Sequence, residues 1–293
     1  MSDENQAVKE PAEKKQSFDL SKVEKQIDPQ DYLVKPGEKV DVLKRPTRYE
    51  GPIDKDEGEA VNAKLSAKLA ELQERLYAEG KRSLLVVLQA MDAAGKDSTV
   101  RNVFGPVNPE GCQVMSFKAP SKEELAHDYL WRVHAHTPAA GNIAVFNRSH
   151  YEETLIVKVK GWAPFDNIKK RYGHINAFEE MLTDEGTTVV KFMIHISKDY
   201  QKQRLQRRLD RPDKHWKFNP EDLTERALWD DYMQEFNTTL TKCSTKHAPW
   251  YVVPGERRWF RNLVITKVLV DTLEDMDPQP PAIDFDPSEI VIE

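Results

Sequence analysis

Nine residues, MDAAGKDST at 91–99, follow an apolar run, SLLVVLQ at 83–89, and lead into a segment that reads as the start of a helix. Small residues in such a turn let backbone N–H groups curl around phosphate oxygens, a neighbouring lysine reaches the outer phosphates, and the helix N-terminus adds partial positive charge. Gly95 and Lys96 meet these needs, with Ala93 and Ala94 as the small residues and Asp97, Ser98 and Thr99 opening the helix. The strict phosphate-loop spacing fails twice: Ala90 stands where the first glycine belongs, and Asp97 where Ser or Thr belongs. A surface turn with an incidental lysine is the alternative, and the apolar strand running straight into AAGK argues against it. Asp92 is unusual in this setting, because an acid beside phosphate repels it unless a cation intervenes. A Mg2+ ion, which prefers oxygen ligands, would turn that repulsion into a contact. A simple loop-capping aspartate is the plainer option.

A second group follows the apolar run IAVF at 143–146. In open α/β sheets the carboxyl ends of the strands line the ligand crevice, which places Asn147 there. Its amide oxygen is a neutral ligand for a metal or for metal-bound water. Arg148 can meet a phosphate with two N–H groups. Glu152 is either a metal or supporting group or favourable first-turn charge, and His150 is either structural or catalytic. A third group is basic: Lys198–Lys217 holds eight Lys and Arg against three acids, with Arg204 and Arg208, Lys198 and Lys202, and Arg207 and Arg211 each four apart and so on shared helix faces. Charge runs of this kind usually face solvent. Their place after the fourth strand suits a closing segment that neutralises a transferring phosphate and excludes water. Gln201 is a possible donor from the same face. Trp216 and Phe218 read as anchors for the chain's return, and Lys169, Lys170 and Arg171 as an extension of a polyanion channel.

The elements that must position these groups follow from periodicity. Leu65, Leu69, Leu72 and Leu76 share one face of a helix that starts near Glu59 and stops at Gly80. Residues 83–89 read as a buried parallel strand, with further strands at 112–117, 143–146, 188–196 and 251–253. Ser121 and Glu124 form a capping-box pattern for a helix to about Ala135. Asn219-Pro220 starts another helix, and Glu256–Met276 forms a closing one. Strands alternating with helices predict an α/β fold with a doubly wound parallel sheet. Residues 1–30 read as a flexible leader, 31–58 as irregular structure wrapping the body, 31–270 as a single domain with a lid at about 198–218, and 271–293 as an acidic tail. Ile283, Phe285, Ile290 and Ile292 offer that tail a way to pack on the body.

Composition narrows the classes. Of 293 residues 39% are hydrophobic and 31% charged, which suits a globular protein with a polar surface. No run is apolar enough to span a bilayer, and residues 1–30 lack a signal-peptide core, so a cytoplasmic protein with no membrane partner is expected. Cys112 and Cys243 form no metal-type pair and are expected to be reduced thiols. The chain carries 43 Lys and Arg against 49 Asp and Glu, but eight of those acids lie in 271–293, so residues 1–270 hold 43 bases against 41 acids. A local basic surface can therefore hold a polyanion despite the net charge of −6. Aromatics do not interleave with the basic run as a nucleic-acid stacking platform requires, so no nucleic-acid partner is expected.

Taken in order, MDAAGKDST, SFKAPSKEELAHDYLWRVH at 116–134, PAAGNIAVFNRSHYEE at 138–153, SKDYQKQRLQRRLDRPDKHWKF at 197–218, TERALWDDYMQEFN at 224–237 and STKHAPWYVVP at 244–254 resemble the polyphosphate kinase 2 family across about residues 35–270. The resemblance implies a P-loop kinase-like core with a helical lid, and phosphoryl transfer between inorganic polyphosphate and nucleotides. It carries Asp92, Lys96 and Arg148 over to phosphate and Mg2+ handling, with Mn2+ as a substitute ion. Lys118, Arg132, Arg204 and Arg208 match basic positions near the phosphate path or lid. Asn147 stands where many members have Asp. Together with FKAPS and NRSHYE it resembles the subgroup that phosphorylates both AMP and ADP, which gives AMP, ADP and ATP as nucleotide partners. Ser98 and Ala90 depart from the family's usual glycines, and a homo-oligomer is implied. Two other classes share part of the pattern: an ATP-dependent nucleoside monophosphate kinase, and a non-enzymatic polyanion- or nucleotide-binding protein.

Overall fold

The computed structural model describes residues 19–292. Its centre is a six-stranded sheet made of β1 (Leu33–Val34), β2 (Ser83–Gln89), β3 (Cys112–Ser116), β4 (Ile143–Asn147), β5 (Thr187–His195) and β6 (Trp250–Pro254), in the spatial order β1-β6-β5-β2-β4-β3. β2 through β6 run parallel, while β1 pairs antiparallel with β6 at one edge. The expected doubly wound α/β sheet is present. The added edge strand lies in the segment read as irregular, and at two residues it is too short for a period-two pattern to register. All residues of β2 and β4 are buried, because helices cover both faces of a parallel sheet. From central β2 the chain goes out to β3 and β4 on one side, then to β5 and β6 on the other. The strand order therefore reverses at the carboxyl end of β2, where such sheets bind ligands.

The helix carrying Leu65, Leu69, Leu72 and Leu76 runs Lys55–Glu79 and packs chiefly on the closing helix Arg258–Met276. It starts four residues earlier than its leucines indicate. Asp54 accepts from the Glu57 amide at 2.9 Å and Glu57 from the Asp54 amide at 3.1 Å, which satisfies first-turn donors that have no partner within the helix. Gly80 ends it in the left-handed conformation, φ 64°. The capping box at Ser121 and Glu124 also forms, but the helix it opens ends at Leu125. The Asp128 carboxylate accepts from the Leu130 and Trp131 amides, competing locally with helix continuation, and a separate turn follows at Trp131–His134. The lid consists of the helix Lys198–Leu209 and a 3-10 turn Pro212–Lys217, separated where Pro212 disfavours helix in the residue before it. The helices Glu221–Ala227 and Trp229–Cys243 lead back to β6.

Both ends differ from expectation. Residues 1–18 of the expected leader lie outside the described residues. Its remainder is not a loose segment: Leu20–Glu24 is helical, and Val23 and Ile27 are buried. Residues 271–276 belong to the closing helix, with Leu273 fully buried, so the acidic tail begins at Asp277. Beyond it Ile283, Phe285, Ile290 and Ile292 are exposed and do not pack on the body. Cys112 and Cys243 are free thiols. Among the described residues no helix is long and apolar enough to cross a membrane.

Candidate active site

The loop Ala90–Gly95 joins β2 to the helix Lys96–Val103, so its residues sit at the switch point. Its curl depends on two left-handed residues, Ala93 at φ 64° and Gly95 at φ 108°. An alanine held there costs about 1 kcal/mol or more. Successive residues of opposite hand turn their amides toward one concavity. The Ala93, Gly95 and Lys96 amides donate to no protein acceptor among the described residues, whereas Ala94 N–H donates to the Met91 carbonyl at 3.3 Å. Lys96 folds back over the loop, its Nζ donating to the Ala90 carbonyl at 2.7 Å. Desolvation pulls the Lys96 ammonium below its ordinary pKa, and nearby Asp92 opposes that shift.

β4 brings the second group within reach. Arg148, at φ 62°, is one of three non-glycine residues with positive φ among the described residues. Its Nη2 donates to Asp92 Oδ1 at 3.1 Å, closing an ion pair across the crevice. Asn147 Nδ2 donates to Asp97 Oδ1 at 2.8 Å, tying the end of β4 to the first turn of the loop's helix. Behind Arg148 the turn is pinned by a fully buried cluster. His150 Nε2 and Tyr151 OH lie 3.1 and 2.8 Å from Glu179 Oε1, and Lys191 from β5 pairs with Glu179. His150 is thus structural. Glu152 lies in front of the turn, and burial raises its carboxyl pKa against the lowering effect of Arg148 and Lys96.

Two cavities meet at Asp92, Lys96 and Arg148, which line both. The larger, about 800 Å3, is bounded by the loop, Lys118, Asn147 and the lid. Its wall holds ten Lys and Arg against two acids, Asp92 and Asp97. The smaller, about 200 Å3, reverses the balance, with five carboxylates against two bases and an apolar side made of Leu155, Ile156, Tyr232 and Phe236. Of the expected lid residues, Arg204 and Arg208 face the larger cavity, and so do Arg207 and Arg211. Arg208 is held in place by Asp222 at 2.9 Å and by the Lys217 carbonyl at 3.0 Å. Burial and neighbouring cations lower the Arg204 pKa. Gln201 does not face the cavity: it is buried and donates to the Asp92 carbonyl at 2.9 Å.

Several expected residues are placed differently. Ala94 and Thr99 are buried and line neither cavity, and the Thr99 hydroxyl donates to the Gly95 carbonyl at 3.2 Å. Ser98 lines the larger cavity, but its hydroxyl proton goes to the Gly95 carbonyl at 2.8 Å. Arg132 lies over the Phe117 ring, 5.1 Å from its centroid, and donates to the Lys118 carbonyl, so it supports Lys118 rather than facing the crevice. Trp216 does not anchor the lid's return: it is 77% exposed on the cavity wall. Lys169, Lys170 and Arg171 line neither cavity, and Arg171 is paired with Glu153. Arg258 and Asp222, at the site but absent from the expectation, arrive from the closing helix and from Glu221–Ala227. The signal for the first was an arginine at each of 258 and 261, one turn apart, ahead of the apolar run Leu263–Ile265.

Among the described residues no three His, Cys, Asp or Glu side chains gather closely enough to hold a metal by themselves. A Mg2+ ion does not need such a cage, since it keeps several waters and takes one or two carboxylates plus substrate phosphates. Asp92, partly exposed and common to both cavities, suits that limited role.

Comparison with known proteins finds relatives over most of the chain. The family model described as Polyphosphate kinase 2 (PPK2) matches residues 52–281. The chain is 53% identical over 231 residues to the AMP/ADP-polyphosphate phosphotransferase of Meiothermus ruber, covering 79% of this chain and 86% of that one. It is 41% identical to the ADP-polyphosphate phosphotransferase of Rhodopseudomonas palustris, covering 84% and 89% respectively. The crystal structure of polyphosphate kinase 2 from Arthrobacter aurescens TC1 superposes with a TM-score of 0.86 at 44% identity, covering 89% of this chain and 94% of that one.

Proposed function

This chain belongs to the polyphosphate kinase 2 family, and from that premise we propose that it moves a phosphoryl group reversibly between inorganic polyphosphate and AMP or ADP, with Mg2+ as the accompanying ion. One observation carries the reading: two cavities of opposite charge share Asp92, Lys96 and Arg148. A polyanion belongs in the larger, basic cavity, where its charge is compensated along its length. A nucleoside belongs in the smaller one. Tyr232 and Phe236 offer its base apolar contact there, and carboxylates such as Glu225 accept from its N–H and O–H groups. The two phosphates then meet at the three shared residues.

Phosphoryl transfer of this kind needs positioning and charge neutralisation rather than a covalent protein nucleophile. The free amides of Ala93, Gly95 and Lys96 cradle the phosphoryl oxygens, and Lys96, released from the Ala90 carbonyl, and Arg148 neutralise the transferring group. Arg204 and Arg208 close from the lid and exclude water. Asp92 would hold the Mg2+, with Glu152 or the Asn147 amide oxygen as an outer contact, and the bound ion would neutralise phosphate oxygens beside the acid. The acceptor's own phosphate oxygen is the nucleophile.

The test is product analysis with polyphosphate, Mg2+ and either AMP or ADP supplied separately, alongside a parallel reaction with ATP as donor and AMP as acceptor. The expected result is ADP from AMP and ATP from ADP, with polyphosphate the better donor. Folded protein that makes product only from the ATP donor overturns the reading in favour of an ordinary nucleoside monophosphate kinase.

A further inference from the structure

Arg261, in the first turn of the closing helix, is only 1% exposed and lines neither cavity. Its guanidinium lies directly behind the phosphate loop. Nη1 donates to the Ala94 carbonyl at 3.3 Å and Nη2 to Ser98 Oγ at 3.1 Å. Nε and Nη2 donate to Asn262 Oδ1 at 3.2 and 2.9 Å, which fixes the plane of the group. The fit is close enough to dictate the residue in front of it, since a Cβ at Gly95 would lie 2.4 Å from Nη1. No carboxylate among the described residues pairs with Arg261. Burial pulls its pKa down to about 10, so it remains charged near neutral pH. A buried cation without a counterion is costly unless an anion is brought to it.

A second group grips the same loop from the lid. Gln201 is fully buried, and its Nε2 donates to the Asp92 carbonyl at 2.9 Å. Its Oε1 accepts from Arg226 Nη1 at 3.1 Å, which sets which end of the carboxamide faces the loop. A peptide unit is planar and trans, so its C=O and N–H point in opposite directions. Holding the Asp92 carbonyl outward therefore turns the Ala93 N–H inward, and holding the Ala94 carbonyl outward does the same for Gly95. These two amides are among those that find no protein acceptor among the described residues.

We propose that Arg261 and Gln201 are positioning residues for phosphoryl transfer: from outside the loop they hold the Ala94 and Asp92 carbonyls away from the cavity, so that the Gly95 and Ala93 amides face the polyphosphate. The proposal rests on phosphate occupying this loop, as the proposed function requires. Arg261 also supplies a positive charge behind the loop that no carboxylate among the described residues pairs with. Gln201 ties the loop to the lid helix, so the lid and the cradle are set together.

The experiment compares the wild-type enzyme with R261M, R261K and Q201M. It measures kcat, KM for polyphosphate, KM for ADP, and the thermal midpoint with and without polyphosphate. R261M and Q201M are expected to raise the polyphosphate KM about tenfold or more, the scale of one lost hydrogen bond involving a charged or preorganised group, while the ADP KM moves less than about threefold. The rise in midpoint on adding polyphosphate shrinks in step. R261K recovers part of the loss, because a lysine restores the charge without the two-point grip. Unchanged polyphosphate KM in folded R261M and Q201M overturns the proposal, as does an equal loss toward both substrates that follows the fall in thermal midpoint. If R261M does not fold, Q201M and R261K decide by the same criteria. A wild-type enzyme that fails to use polyphosphate defeats the proposed function itself, whereas active wild type with unaffected variants defeats only the positioning roles.

Discussion

Asp92 is the residue on which the local electrostatics turn. It lies between Lys96 and Arg148, pairs with the latter at 3.1 Å, and faces both cavities. An acid so placed repels incoming phosphates unless a cation sits between them, whereas its removal would leave Arg148 without its partner. Asp92→Asn keeps the shape and the hydrogen-bonding oxygen but deletes the charge. The expected outcome is a kcat lower by about 100-fold, the size of losing one preorganised electrostatic contact, together with a clear rise in the Mg2+ concentration needed for half-maximal rate. A Mg2+ titration of initial rates checks this, and a wild-type metal profile in the variant would remove Asp92 from that role. Arg132 makes the complementary point at the same scale. Its sequence position suggests a place beside the phosphate path, but the Phe117 ring and the Lys118 carbonyl claim its guanidinium.

At the scale of elements, the site is the junction of the carboxyl-terminal ends of the parallel strands β2–β6 with the loops and helices that leave them. β5 matters twice, through Lys191 in its middle and His195 at its end. Burial holds His195 down at about 4, against an ordinary 6.5. The unfolded chain takes up a proton near 6.5 while the folded chain does not until about 4, so the contribution to stability is whole above 6.5 and is lost as pH falls across that window. At about 1.4 kcal/mol per pH unit the loss is on the order of 3 kcal/mol. Urea unfolding measured from pH 7 down to pH 4 should show this acid limb in the wild type, and His195→Gln should flatten it. Equal slopes in the two proteins would show that other groups carry the acid sensitivity. The lid depends on its own elements: Pro212 breaks its helix, Leu205 is its buried apolar residue, and Asp222 from the following helix fixes Arg208.

Across the whole molecule, charge is sorted rather than balanced. The chain is formally −6, yet the wall of the larger cavity carries ten cationic side chains against two acids, and the smaller cavity is acidic. Under the proposed function, that separation puts a polyanionic and a nucleoside substrate on different sides of the same three residues. Raising ionic strength from about 0.1 M to about 1 M shortens the screening length from about 10 Å to about 3 Å. The polyphosphate KM should then rise by about tenfold or more, as for other polyanions held by several cations, while the ADP KM changes far less. Steady-state kinetics at fixed Mg2+ over that salt range measures the difference, and parallel changes in both constants would contradict the division of labour between the cavities.

The sequence by itself determined the alternation of strands and helices, the loop at 91–99 that joins a buried strand to a helix, the asparagine that ends β4 and the arginine after it, and the basic character of the lid, along with the family these segments resemble. Each of these is a local pattern: a run of apolar residues, a cap, a turn composition, or a charge spacing that the chain expresses wherever it folds. Gly80 and the four leucines before it were legible for that reason. Only the tertiary structure decided that Arg132 and Thr99 face away, that Trp216 is exposed on the cavity wall, that the first residues after 18 form a helix against the body, and that Arg261 reaches the Ala94 carbonyl from 167 residues further along the chain. Those outcomes depend on which distant segment arrives at a given surface. Side chains of the same type and spacing meet solvent, a ring or a phosphate according to what the packed sheet and its crossing helices bring opposite them.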